Sequence, residues 1–158
     1  MNKKAEDKEK NDGSIVKNKK AFHDYTILEC FEAGIALKGT EVKSCRKHSV
    51  SFVDSFVSID RGEATLYNVN ISPYECGNRF NHEPTRPRKL LMHKAEIRKL
   101  ASQTREKGNT IVPLKFYLKH GKIKVEIGIA KGKTHGDKRE TLKKKQSDLE
   151  TRRAMRNY

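Results

Sequence analysis

The feature that most constrains the fold is a regular alternation of apolar and polar residues across positions 110–130. Its apolar members are Val112, Leu114, Phe116 and Leu118 before His120-Gly121, and Ile123, Val125, Ile127 and Ile129 after it. A period of two residues gives paired strands one apolar face and one mostly basic face, so the pattern predicts a β-hairpin. Because Pro113 cannot donate a ladder hydrogen bond, we expect it near the start or the edge of its strand.

A second hairpin and two helices are predicted earlier in the chain. Residues 53–59 and 64–71 form the hairpin, which turns at Asp60-Arg61-Gly62-Glu63. Residues 94–107 have helical periodicity and end at Gly108, and a shorter helix is expected from Thr40 onward. Residues 73–89 are rich in Pro, Asn and Arg, which predicts a long loop of the kind that often carries function.

These elements predict a mainly β fold with helices, of the α+β class. The architecture that fits best is a small antiparallel, OB-like β-barrel with two or three helices and a basic C-terminal tail, and another small β-barrel is the alternative. We expect a disordered N-terminal segment at residues 1–17, where there is little to bury, the barrel at 18–130 and the tail at 131–158.

The charge of the chain points to a polyanionic partner. The formal net charge is +15, and the excess of Lys and Arg is spread over the N-terminal segment, the barrel and the tail. Such a distribution favours a protein that touches nucleic acid over several surfaces, although a solvated basic surface without a partner gives the same composition.

Other function classes find little support in the sequence. The six His residues have no metal-binding spacing, and neither a phosphate-binding loop nor a nucleophile elbow is present, so we expect no enzyme, no metal and no cofactor. No secretory signal or membrane-spanning segment is evident. Cys30, Cys45 and Cys76 are odd in number and are interpreted as the reduced thiols of a cytoplasmic protein.

The tail combines high charge with the capacity to form a helix. Residues 130–158 contain ten Lys or Arg and four Asp or Glu, and their only large aliphatic side chains are Leu142, Leu149 and Met155. Asp137 and Glu140 fit a capping box, which predicts a helix from Lys138 towards the C-terminus. A helix with so thin an apolar stripe is marginal in water, so we expect the free tail to be largely disordered and to fold against RNA or a basic-helix groove. The alternative is a passive solubilising extension.

Several residues of the barrel are candidates for RNA contact. Asn18, Lys20 and His23 lie at the start of the first predicted strand, and Arg86-Pro87-Arg88-Lys89 places three cations on a stiffened turn. Tyr74 or Phe80 could stack on bases, although loop packing is the more common role. Glu32 could accept hydrogen bonds from bases, and periodicity alone does not decide which of Leu90-Leu91-Met92 is core.

Several ordered runs resemble the SsrA-binding protein, small protein B (SmpB) family, from about Asn18 to the C-terminus. They are Asn18-Lys19-Lys20-Ala21, Phe31-Glu32-Ala33-Gly34-Ile35, Gly39-Thr40-Glu41-Val42-Lys43-Ser44, Asn70-Ile71-Ser72-Pro73, Pro84-Thr85-Arg86-Pro87-Arg88-Lys89-Leu90-Leu91, Ala130-Lys131-Gly132-Lys133 and Asp137-Lys138-Arg139.

The resemblance implies an OB-like barrel that binds the tRNA-like domain of transfer-messenger RNA (SsrA) and acts in trans-translation, the rescue of stalled ribosomes. The implied partners are this RNA, the stalled 70S ribosome with its small-subunit RNA, and elongation factor Tu, with the protein a monomer in the cytoplasm. The implied RNA contacts on the barrel fall on Asn18, Glu32 and Leu91, to which charge adds Lys20, His23, Arg88 and Lys89.

For the tail, the resemblance implies entry into the decoding centre and the empty messenger channel, where it becomes helical. The expected tail site comprises Lys131, Lys133, His135, Asp137, Lys138, Arg139 and Met155. The family commonly carries a ring-bearing residue next to the Asp, whereas this chain has Gly136 there and His135 one place earlier. A generic ribosome-associated or structural RNA-binding barrel is the alternative function.

Overall fold

A computed structural model describes residues 13–76, 82–106 and 108–156 of the chain. Within these residues there are seven β-strands and four α-helices. The strands are β1 (Ser14–Lys17), β2 (Tyr25–Ile35), β3 (Val50–Asp60), β4 (Glu63–Ile71), β5 (Arg88–Leu91), β6 (Asn109–Lys119) and β7 (Lys122–Gly132). The helices are α1 (Lys19–Asp24), α2 (Gly39–Arg46), α3 (Lys94–Thr104) and α4 (His135–Arg156).

Six of the strands close into an antiparallel barrel. The strand order is β6-β3-β4-β5-β2-β7, and pairing of β7 with β6 completes the ring. Strand β1 lies outside it and pairs with β6. The predicted fold class is therefore confirmed, because the two hairpins β3–β4 and β6–β7 supply most of the wall and leave few free edges.

The alternating pattern of the β6–β7 hairpin determines which side chains form the core. Phe116, Ile123, Val125, Ile127 and Ile129 are buried in the barrel interior. A bulge between Pro113 and Lys115 interrupts the register, and Leu114 points instead into a second apolar cluster with Ala21, Val112 and Ala130. Pro113 is thus accommodated by a bulge inside the strand and not at the strand start, one of the two positions that the sequence suggested.

The second apolar cluster explains why residue 128 is glycine. A Cβ placed on Gly128 would lie 2.9 Å from Cδ1 of Leu114 and 3.0 Å from Cγ2 of Ile27. Both distances are too short for an ordinary contact, so a larger residue would force the packing apart. The close approach keeps β2 and β7 in contact with the bulged segment of β6.

Part of the segment predicted to be disordered forms a strand, and the rest of that prediction, at residues 1–12, lies outside the described residues. Residues 14–17 fall in the segment predicted to be disordered, but Ser14 lies opposite Tyr117 and Val16 opposite Phe116 as strand β1. Ile15 is buried in the core, and the free edge of β6 supplies backbone partners that composition alone does not reveal.

Helices α2 and α3 lie where the sequence pattern predicted them, and α3 is shorter than the predicted range 94–107. Helix α3 buries Ile97 and Leu100 and ends at Thr104, and Gly108 follows with a positive φ of 88°. Helix α2 buries Glu41, Ser44 and Cys45 against the barrel. Burial raises the pKa of the Cys45 thiol to about 12, and all three cysteines are free.

The predicted loop at 73–89 is shorter at its C-terminal end. Residues 88–91 form strand β5, which pairs Gly34 with Leu91 and Leu66 with Arg88. Loop position 80, one of the two predicted stacking rings, lies outside the described residues.

Candidate nucleic-acid interface

An exposed surface is formed where β2, β5 and β7 lie side by side. We call it the Glu32–Leu91 surface, after Glu32, Gly34, Leu91 and Lys124, which share its shallow groove. Gly34 lies directly opposite Leu91 on β5 and opposite Lys124 on β7. A Cβ on Gly34 would lie 3.2 Å from Cβ of Leu91, so glycine lets the leucine lie flat across β2.

Leu91 is the apolar centre of this surface. It is 55% exposed, whereas its neighbour Leu90 is 2% exposed and Met92 packs against the core from the side. The structure thus answers the question that periodicity left open among these three residues. A single exposed leucine beside polar groups is able to pack on an unstacked base.

Glu32 is held in a fixed orientation by β6. Tyr117 donates its hydroxyl hydrogen to Oε2 of Glu32, and Nζ of Lys119 lies 3.1 and 3.2 Å from Oε2 and Oε1. These hydrogen bonds, the one from Tyr117 foremost, lower the pKa of the Glu32 carboxyl below its usual value. Since a carboxylate accepts about four hydrogen bonds, one position on Oε1 is left for a donor such as a base amino group.

Two lysines offset the repulsion between Glu32 and a neighbouring carboxylate. Glu32 lies opposite Glu126 on β7, a like-charge pair that is unfavourable by itself. Lys119 lies 3.1 Å from Glu32, and Nζ of Lys115 lies 3.7 Å from Glu126. Each carboxylate therefore has its own cation.

Lys89 shares the outer face of β5 with Leu91, two residues away. Its Nζ donates a 2.7 Å hydrogen bond to Glu63, in an ion pair that is more than half exposed. An exposed pair of this kind contributes little to stability. Lys89 is thus placed where a phosphate could replace the carboxylate of Glu63.

Arg88 has to be removed from the set of candidate RNA contacts. It is fully buried and donates to Glu41 Oε1 at 2.9 Å, to the Val69 carbonyl at 2.7 Å and to the Pro84 carbonyl at 2.9 Å. The alternation along β5 turns Arg88 inward with Leu90, while Lys89 and Leu91 turn outward. All its donors face protein, so its role is structural.

Asn18 also forms its hydrogen bonds within the protein. Its side-chain oxygen accepts from the Ala21 N–H at 3.2 Å and caps α1, and its Nδ2 donates to the Pro113 carbonyl at 2.8 Å. Its backbone N–H donates to the Leu114 carbonyl at 2.7 Å. Asn18 thereby satisfies the carbonyls that the β6 bulge leaves free, and its side chain is buried.

Lys20 and His23 lie on α1, at the other end of β2 from Glu32. Lys20 is exposed and lies 3.4 Å from Asp54, and Nδ1 of His23 lies 2.9 Å from the carboxylate of Asp24. Seven residues of extended chain separate Tyr25 from Glu32, or roughly 23 Å at about 3.3 Å per residue. The candidates therefore fall into two groups rather than one site.

The tail begins beside α1. Nζ of Lys133 donates to the Phe22 carbonyl at 3.1 Å, and Nζ of Lys138 lies 3.6 Å from Oδ1 of Asp24. Lys131 is exposed at the end of β7 and pairs with Asn109. The structure thus brings Lys133 and Lys138 of the expected tail site next to His23 and Asp24.

Helix α4 starts earlier than the sequence suggested. Its capping residue is Thr134, whose Oγ1 accepts from the Asp137 N–H at 3.3 Å, while Asp137 Oδ2 accepts from the Thr134 N–H at 3.1 Å. Asp137 is therefore the last residue of a capping box, at helix position N3, and not its first residue, the N-cap. The hydrogen bonds from Thr134 lower the pKa of the Asp137 carboxyl.

The rest of α4 projects away from the barrel. The helix has 22 residues, about 33 Å at 1.5 Å per residue, and every described side chain from Leu142 onward is exposed. Arg139 is exposed on its first turns, and Met155 is 74% exposed near its end. The sequence predicted a disordered free tail, whereas the structure contains a helix that starts at His135 and is supported at its root.

The sequence did not identify four residues that belong to these sites: Tyr117, Lys119, Asp24 and Thr134. Alternation had placed Tyr117 and Lys119 on the polar face of β6. It did not indicate that their side chains reach across β7 to Glu32, because that depends on the register between β2 and β7.

The barrel topology and the excess of Lys and Arg are typical of small OB-like barrels, a fold that is common among RNA-binding proteins. The SmpB protein family profile matches residues 15–157, so the chain belongs to the SmpB family. This is a family of RNA-binding proteins and not of enzymes. Among the described residues, no helix is both long and apolar enough to cross a membrane.

Relatives cover nearly the whole chain. The SsrA-binding protein of Latilactobacillus sakei is 61% identical over 142 residues, 90% of this chain and 91% of its own. That of Levilactobacillus brevis is 54% identical over 155 residues, 98% of this chain and 99% of its own. A chain in the solved structure "tmRNA-SmpB: a journey to the center of the bacterial ribosome" matches with a TM-score of 0.66 and 49% identity, covering 80% of this chain and 93% of that one.

Proposed function

We propose that the protein binds the tRNA-like domain of transfer-messenger RNA and delivers it to the vacant A site of stalled ribosomes. Membership of the SmpB family supports this, since the relatives are named for binding SsrA and the similar solved chain belongs to a tmRNA–SmpB assembly. The protein contributes no catalysis of its own in this reaction and acts as an adaptor.

The observation that carries the proposal is the exposed Leu91 beside the oriented carboxylate of Glu32. Glu32 is ionised and fixed by Tyr117 and Lys119, so it offers an acceptor without the entropy cost of ordering a free side chain. Leu91 supplies apolar contact with an unpaired base of the folded RNA. Lys89 and Lys124 flank the pair and neutralise phosphates.

The tail is the second functional surface. Helix α4 enters the decoding centre and the empty messenger channel, where its cations face small-subunit RNA and Met155 finds an apolar contact. Lys131 and Lys133 at its root set its direction, and His135 is the candidate for the stacking contact that Gly136, next to Asp137, does not supply. Elongation factor Tu accompanies the complex, and the protein acts as a cytoplasmic monomer.

Two variants separate the surfaces. Truncation after Lys133 is expected to leave affinity for a tRNA-like-domain transcript unchanged and to abolish peptide tagging in a reconstituted translation system. Glu32→Gln is expected to weaken transcript binding, with Glu29→Gln as the matched control because Glu29 lies on the same strand but pairs with Lys99. Equal losses of RNA binding in all three variants would contradict the two-surface mechanism.

The generic alternative predicts a different selectivity. A structural RNA-binding barrel would bind ribosomal RNA fragments as tightly as the tRNA-like domain, because phosphate contacts carry no sequence information. Filter binding with both RNAs at the same salt concentration decides between the two functions.

A further inference from the structure

Helix α2 carries a cluster of cations that the proposed function does not use. Lys43, Arg46 and Lys47 are all exposed, and the ring of Tyr74 lies beside them. We call these four residues the α2 patch. It lies beyond the C-terminal end of β2, whereas the tail begins at the N-terminal end of the same strand.

The ring of Tyr74 holds two of the cations in place. Nζ of Lys47 lies 4.8 Å from the ring centroid and Nζ of Lys43 lies 5.4 Å from it. Lysine ammonium groups at these distances are attracted to the ring face. Two exposed ammonium groups therefore share one ring, and an anion bound beside them would offset their mutual repulsion.

In the part of the chain that the structure describes, the three cations of the α2 patch form no ion pair. The only acid in α2 is Glu41, which is fully buried and occupied by Arg86 and Arg88. Elsewhere on the barrel, Lys20 pairs with Asp54 and Lys99 pairs with Glu29. None of the ion pairs found among the described residues includes Lys43, Arg46 or Lys47.

A groove leads from the Glu32–Leu91 surface to helix α2. One groove is lined by Gly34, Leu91 and Lys124 and also by Val42 on α2. Arg46 lies four residues after Val42, one helical turn further along the same side of the helix. An RNA that covers Leu91 and runs along this groove therefore reaches α2.

We propose that the α2 patch binds the phosphate backbone of the same folded RNA that the Glu32–Leu91 surface holds. This extends the proposed function and rests on it. Lys43 and Lys47 together form one phosphate-binding site with two positive charges, pre-organised by Tyr74, and Arg46 lies on the side of α2 that faces the groove of Leu91. The patch raises affinity and orients the RNA, while the contacts at Glu32 and Leu91 select it.

The test compares two pairs of substitutions that remove the same charge. Lys43→Ala with Lys47→Ala alters the patch, and Arg98→Ala with Arg105→Ala removes two exposed cations from the α3 region. Affinity for a tRNA-like-domain transcript is measured against salt concentration. For the patch variant, the slope of log K against log salt is expected to shrink by about 2 and affinity to fall roughly tenfold. The control variant is expected to keep the salt slope and the affinity of the unchanged protein.

Further variants and RNA probes separate a failure of the α2-patch proposal from a failure of the proposed function. Tyr74→Leu is expected to lose part of the affinity, and Tyr74→Phe to retain it. If the patch and control variants show the same affinity and salt slope while the unchanged protein binds the transcript selectively, RNA binding by the α2 patch is overturned and the proposed function stands. If the patch variant lost binding to isolated 30S or 50S subunits but kept transcript binding, RNA binding by the α2 patch as proposed would also be overturned. Absence of selectivity in the unchanged protein would overturn the proposed function itself.

Discussion

Arg88 and Glu41 form an ion pair inside the barrel wall, with Nε of Arg88 2.9 Å from Oε1 of Glu41 and both side chains fully buried. Glu41 also accepts from Arg86 Nε at 2.8 Å and from the Lys38 N–H at 2.8 Å. The network joins α2 to β5, and therefore holds the helix that carries the α2 patch against the strand that carries Leu91.

Removing Arg88 should destabilise the protein strongly. Arg88→Ala leaves the Glu41 carboxylate and the Val69 and Pro84 carbonyls with fewer donors, at a cost of about 3–5 kcal/mol. Urea unfolding measures the loss. The control is Lys89→Ala, which breaks an exposed pair with Glu63 and should cost about 1 kcal/mol or less. Similar losses for both variants would contradict the buried role of Arg88.

The same network predicts how stability depends on pH. Burial raises the pKa of Glu41, but hydrogen bonds from Arg86, the Lys38 N–H and Arg88 outweigh it, so the folded pKa is below the usual 4.5. A depressed pKa contributes stability above 4.5 that is lost as the pH falls through the folded value. Urea midpoints from about pH 6 to about pH 3 should decline less steeply for Glu41→Gln than for the unchanged protein.

The cap of α4 should govern how much of the tail is helical. Thr134→Ala removes the oxygen that accepts from the Asp137 N–H and should cost the helix about 1 kcal/mol. NMR Cα shifts of residues 135–145 report the change. Thr151→Ala is the control, because Thr151 bonds only to the Ser147 carbonyl within the helix and alanine favours helix there. A larger loss at Thr151 would refute the capping role of Thr134.

Gly136 weakens the first turn, and its replacement should strengthen it. A Cβ at this position would meet only Oγ1 of Thr134 at 3.8 Å, an ordinary contact. Gly136→Ala should therefore favour the helix by about 1 kcal/mol, measured by circular dichroism and the same NMR shifts. Unchanged helicity would show that the first turn is already fully formed.

Asp24 should fix the direction of the tail without adding much stability. It lies 3.6 Å from Lys138 and 2.9 Å from His23, in partly exposed pairs. Asp24→Asn is expected to change the free energy of unfolding by less than about 1 kcal/mol while speeding amide exchange around residues 134–141. Unchanged exchange would mean that Lys133, through the Phe22 carbonyl, holds the tail root alone.

The sequence predicted much of the barrel because its signals are local. Alternation marked β6 and β7, the turn at Asp60-Arg61-Gly62-Glu63 matched the end of β3 and the start of β4, and helical spacing located α3. Strand β1 escaped prediction because its partner is the edge of β6, about a hundred residues away. The cap of α4 was misplaced because Thr134 and Asp137 both fit a capping pattern.

For the interface, the sequence by itself determined the residue types and their spacing: a carboxylate at 32, a run of cations and leucines at 86–91, and a basic tail. Only the tertiary structure decided that Arg88 and Leu90 face inward while Lys89 and Leu91 face outward. The physical reason is that a strand alternates between two faces with a period of two, and pairing with β2 and β4 chooses which face is inside. That choice made Arg88 structural, left Leu91 exposed, and brought Glu32 within reach of Tyr117.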